Sequence, residues 1–123
     1  MANEIKIIIS QLEKKHINQA AFCLANGFLH EPMTKEIGIT FDEMQEFTQN
    51  VVAKVATKKL SLVAIDSEAG KVAGVSINKD LLDSPLAKED EILDKFIPIF
   101  DLLDQLYFDW GKLPKIKYYD ILK

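Results

Sequence analysis

Two short apolar runs, Leu60–Ile65 and Val72–Ile77, flank the segment Asp66-Ser67-Glu68-Ala69-Gly70. Both runs are rich in β-favouring residues, and the segment between them is turn chemistry, so a β-hairpin is predicted. In the first run Leu60, Leu62 and Ala64 alternate with Val63 and Ile65, so both faces are apolar. Such a sheet is expected to be covered on both sides. Gly74 marks a bulge or a close backbone approach in the second strand.

The cover comes from helical stripes on either side. Ser10-Gln11-Leu12-Glu13 fits a capping box, and Ile17, Ala20, Ala21, Leu24 and Phe28 then fall at helical spacing. Pro32 closes this helix, and 33–39 reads as loop or a short turn. Thr40-Phe41-Asp42-Glu43 is a second capping box, followed by the stripe Met44, Phe47, Val51 and Val55, ending near Lys58. A third stripe, Leu93, Phe96, Phe100, Leu103, Tyr107 and Trp110, predicts a helix over 89–110, kinked or restarted at Pro98 and closed by Gly111. Ile5–Ile9 and Ile116–Leu122 read as a first and a last strand. The order strand, helix, helix, strand, strand, helix, strand places the chain in the α+β (mixed α/β) class, with a mixed or antiparallel sheet flanked by helices.

At 123 residues, with no linker or repeat, the chain is one domain. The net charge is −4 and the sequence holds no arginine. That argues against nucleic acid, which needs a basic footprint and prefers guanidinium contacts. No apolar run approaches a membrane span and no leader pattern opens the chain, so the expectation is a cytoplasmic protein. The single Cys23 excludes an internal disulfide and reads as a small buried hydrophobe in a helical pattern.

Chemistry concentrates at Phe28-Leu29-His30-Glu31-Pro32-Met33. A residue before proline is pushed out of the helical region. Glu31 therefore sits on a rigid break between two helices, as a ligand contact, a general base or a solvated helix-end acid. Phe28 and Pro32 flank it, and Asn78, just past the hairpin, is a further substrate-contact candidate or a turn residue. His30 reads as a surface or capping residue. His16 reads as solvated beside Lys14 and Lys15, and the two histidines are no metal site. Glu89, Asp90, Glu91 and Asp94 suit a helix N-terminus. Tyr107, Trp110, Tyr118 and Tyr119 are packing residues or the lining of an aromatic-amine pocket.

Three segments in this order carry a resemblance: Glu31-Pro32-Met33, Val72-Ala73-Gly74-Val75-Ser76-Ile77-Asn78, and Lys95-Phe96-Ile97-Pro98-Ile99-Phe100-Asp101-Leu102-Leu103. Together they resemble the N-terminal half of a GCN5-related N-acetyltransferase (GNAT), of the arylalkylamine or dopamine N-acetyltransferase type. The resemblance implies acetyl transfer from acetyl-CoA to a small primary amine, with Glu31 as the base. It also implies that residues 1–123 are the acceptor-side portion of that fold. No Gly-rich phosphate loop follows the last predicted strand, so the chain alone is not expected to hold acetyl-CoA or to catalyse transfer. The alternative is a truncated or degenerate GNAT-like domain that dimerises or binds. A sheet stopped at its fourth strand leaves an open edge, predicted to pair two copies into a homo-oligomer.

Overall fold

The computed structural model describes residues 6–80 and 93–112. Along the chain these form β1 (Ile7–Gln11), α1 (Ile17–Leu29), α2 (Pro32–Glu36), α3 (Phe41–Ala56), β2 (Leu62–Asp66), β3 (Lys71–Ser76) and α4 (Ile97–Gly111). Single 3-10 turns at Lys14–His16 and Asp94–Phe96 lead into α1 and α4. Among the described residues the fold is thus mixed α+β, four helices with a three-stranded antiparallel sheet in the order β1-β2-β3.

The hairpin forms where its turn chemistry predicts. Asp66 Oδ1 accepts hydrogen bonds from the backbone amides of Glu68 and Ala69, at 3.1 and 3.3 Å. Gly70, at φ +66°, closes the turn by donating its N–H to the Asp66 carbonyl. The register shifts between Ala64, opposite Gly74, and Ile65, opposite Val72, which leaves Ala73 as the extra residue of a bulge.

Helices α1 and α3 cover one face of this sheet. Leu12, Ala20, Ala21, Val52, Val55 and Val63 are at most 1% exposed and form one core. A second core joins Ala25, Ile39, Met44 and Phe96. The expected two-sided cover is not present among the described residues. Ile7, Ile9 and Leu62, which share the other face, are 45%, 63% and 43% exposed.

The helix starts divide by the quality of their caps. At α3 the Thr40 hydroxyl accepts from the Glu43 amide (3.2 Å) and Glu43 Oε1 accepts from the Thr40 amide (3.0 Å), the reciprocal box read from the sequence. Ser10, expected to cap α1, instead lies inside β1. The turn before α1 is closed by His16, whose Nδ1 accepts from the Glu13 amide at 3.0 Å. That places His16 in the interior, 7% exposed, and corrects its expected position on a solvated face. Residues 32–36 are a short helix rather than loop, with Pro32 in its first turn, where a missing N–H costs nothing. Pro98 likewise lies in the first turn of α4, the restart rather than the kink of the two expectations. The expected strand at Ile116–Leu122, and the acids Glu89, Asp90 and Glu91, lie outside the described residues.

Replacing Val52, fully buried between α3 and the sheet, by Ala removes two methyl groups from a site closed on all sides. The expected loss is about 2 kcal/mol of unfolding free energy. It should read out as a lower urea midpoint with an unchanged denaturant slope.

Candidate functional site

The stripe that buries Ala20, Ala21 and Ala25 continues toward the end of α1 as Leu24 and Phe28, and these form one wall of a cleft of about 490 Å³. Met44, Phe47, Thr48 and Val51 of α3 form the opposite wall, and Ile77 closes it beyond β3. Phe96 and the α4 residues Ile99, Phe100, Leu102 and Leu103 line the remaining side. Glu31, Met33 and Thr34, at the start of α2, complete the lining.

An aromatic cluster shapes the α4 side. The Phe47 and Phe96 rings stack at 4.8 Å between centroids, and Phe100 meets Phe47 edge-on at 5.8 Å. Phe96 is 2% exposed and wedges the start of α4 into the second core.

Among the described residues Glu31 is the one charged residue of the lining. Its backbone is extended, φ −68° and ψ 131°, as the following proline demands. It occupies the N-cap position of α2, yet its side chain accepts no hydrogen bond from the first turn. Among the described residues its carboxylate has no hydrogen-bond or ion-pair partner. The hydroxyl of Thr34, three residues on and 4% exposed, lies on the same wall. The Thr48 hydroxyl is already committed, donating to the carbonyls of Ala21 (2.9 Å) and Gln45 (3.1 Å).

The other sequence candidates fall elsewhere. Pro32 starts α2 beside the cleft without lining it. Asn78 latches the end of the hairpin: its N–H donates to the Ser61 hydroxyl (2.9 Å) and its Nδ2 to the Leu60 carbonyl (3.0 Å). Tyr107 and Trp110 pack on each other along α4, away from the lining. Among the described residues no group of three or more His, Cys, Asp or Glu could hold a metal ion. Within the same residues no helix is long and apolar enough to cross a membrane.

One ion pair fastens the α4 side. Lys95 Nζ lies 2.9 Å from Glu43 Oε1 and 3.4 Å from the Gly38 carbonyl. Nothing in the sequence alone pairs these residues, 52 positions apart. The Thr40 amide, and after it the Lys95 ammonium, hold Glu43 far below the carboxylate range, at about 2 against an ordinary 4.5.

No family model and no curated protein matches the chain. A solved structure does: the C-terminal condensation domain of Ebony in complex with beta-alanyl-dopamine, with TM-score 0.74 and 17% sequence identity. The match covers 92% of this chain and 54% of that one, so the chain spans about half the length of the domain it resembles. At this identity the likeness is one of fold.

The comparison corrects the expected assignment to the GNAT acetyltransferases. The protein found to share the fold is a condensation domain, and acetyl-CoA gains no support, either for an acceptor-side portion of an acetyltransferase or for a degenerate one. The motifs that carried that resemblance have structural reasons. Pro32 opens α2, Gly74 sits at the bulge with its α-carbon facing Ala64, and Lys95-Phe96 provides the ion pair and the wedge. Residues chosen by packing do not specify a reaction.

A carboxylate whose pKa is depressed by folding stabilises above its unfolded value and loses that contribution as pH falls through the folded one. For Glu43 the window runs from about 4.5 down to about 2. The Glu43→Gln variant should therefore show a shallower fall in thermal midpoint across that window than the native chain, when both are followed by circular dichroism.

Proposed function

We propose that this chain is the amine-binding portion of a condensation-type, amide-forming domain, and that its cleft takes a small apolar or aromatic primary amine. The carrying observation is the Glu31 carboxylate, unpartnered and the one charge among the described residues of an otherwise apolar cleft. A volume of about 490 Å³ suits a small organic molecule. An ammonium group placed at Glu31, with the Thr34 hydroxyl as a further acceptor, leaves the organic body among Phe28, Phe47 and Phe100. Aromatic rings stack or meet edge-on there without needing polar partners. The fold relative supports the same chemistry, because its ligand, beta-alanyl-dopamine, joins an aromatic ring to an amine-bearing chain through an amide.

Amide formation requires an unprotonated amine. In this reading Glu31 accepts a proton from the ammonium, and the nitrogen lone pair then attacks an acyl carbon. The N–C bond forms as the bond to the donor's leaving group breaks, and the second amine proton departs with that leaving group. Pro32 fixes the backbone that carries the base, and Phe28 positions the amine's apolar body beside it. The acyl donor enters from outside the residues that line this cleft.

Isothermal titration of the chain with 2-phenylethylamine tests the reading. The native protein should bind, and Glu31→Gln, which keeps the shape and removes the charge, should weaken binding by about two- to fivefold, the modest worth of an exposed ion pair. Equal affinity for both proteins would remove Glu31 from the site. Toluene, which shares the ring and lacks the charge, should bind both equally.

A further inference from the structure

The side of the cleft formed by α4 is built differently from the others. The α1 and α3 walls belong to helices that pack on each other and on the sheet. Helix α4 is held at its beginning. Phe96 is wedged against Phe47, Ile99 and Phe100 are half-buried, and Lys95 reaches Glu43 and the Gly38 carbonyl. From Asp101 to Gly111 every residue is exposed. These include Leu102, Leu103, Leu106, Tyr107, Phe108 and Trp110, at 45–59% exposure. A segment with few buried contacts beyond one anchored end opens at the least free-energy cost in a fold. Leu102 and Leu103 nevertheless line the cleft. A ligand there would bury more of both side chains than the other described residues do.

We propose that α4 is a hinged cover on the cleft, anchored by Phe96 and the Lys95–Glu43 pair, that closes over an apolar amine once it is bound. The inference rests on the reading of the cleft as a ligand site and adds a moving part to it. Its energetic logic is linkage: a ligand that touches the docked helix and not the open one shifts the population toward the docked state. The Lys95–Glu43 pair biases the same equilibrium from outside the cleft, since neither residue lines it. The pair is half exposed on the lysine side, so its contribution is modest.

Amide hydrogen exchange on the full chain, with and without 2-phenylethylamine, tests the cover, and titration of the same samples reports binding. In the free protein the amides of residues 101–111 should exchange much faster than those of α3. At ten times the dissociation constant their protection should rise by up to about tenfold, while that of α3 stays constant. The Lys95→Ala variant leaves the Thr40–Glu43 cap in place. It should exchange faster in α4 and bind the amine roughly two- to fivefold more weakly. The sole tryptophan, Trp110, lies on the cover, so its emission should shift on binding in parallel.

Binding without any change in α4 exchange would overturn the cover and leave the cleft reading standing. No binding at all would overturn both. Protection of α4 that follows protein concentration and ignores the amine would overturn the cover in favour of contact between copies.

Discussion

Ala20, Ala21 and Ala25 let α1 lie close enough to α3 for the Thr48 hydroxyl to reach the Ala21 carbonyl at 2.9 Å. Small side chains at one helix face remove the bulk that would hold the two axes apart, and the valines 52 and 55 fill what remains against the sheet. This contact supports the rest of the fold. It presents Val63 and the hairpin with a surface to pack on, and it fixes the relative positions of Leu24, Phe28, Met44, Phe47 and Val51, which form two of the cleft walls. It also decides the polarity of the cleft. Because the Thr48 hydroxyl is committed to helix carbonyls, Glu31 and Thr34 are the polar side chains left on the described lining.

The position of Glu31 follows from a second constraint, the chemistry of a helix start. Asp, Ser or Thr before Pro32 would fold its short side chain back onto the α2 amides. Glu is one methylene longer than the best caps, and at this position its carboxylate makes no such bond. The proline still fixes the backbone as a capped start would. The result is a carboxylate on a rigid support that the helix does not use, unlike Glu43 of α3, which is shared between Thr40 and Lys95.

Local chemistry was legible in the sequence wherever it was self-contained. The hairpin turn needs only Asp66 to Gly70, and the α3 cap only Thr40 and Glu43, so both could be read from neighbouring residues. The extended backbone at Glu31 followed from Pro32 alone. What depended on distant partners was not legible. Ser10-Gln11-Leu12-Glu13 has the pattern of a cap, but pairing of Ser10 opposite Val63 draws it into β1, and His16 takes over the turn. Asn78 read as a turn residue ahead of a ligand contact, and only Ser61 and Leu60, folded beside it, decide where its hydrogen bonds go. Of the four residues singled out for the site, Phe28 and Glu31 reach the cleft. Phe47, Phe100 and Thr34 were missed as lining because nothing local distinguishes a core residue from one facing an internal space.

An apolar cleft with one carboxylate divides the work of recognition unequally. Burial of a ring against Phe28, Phe47 and Phe100 supplies affinity that any apolar molecule of similar size would share. Glu31 is exposed, so its charge is never stripped of water in the free protein, and pairing there yields little net energy by itself. In the proposed reading its effect is on orientation and selection: an anion would be repelled, and a cation held with its organic end inward. In the proposed reading the apolar walls therefore hold the molecule and the carboxylate orients its nitrogen.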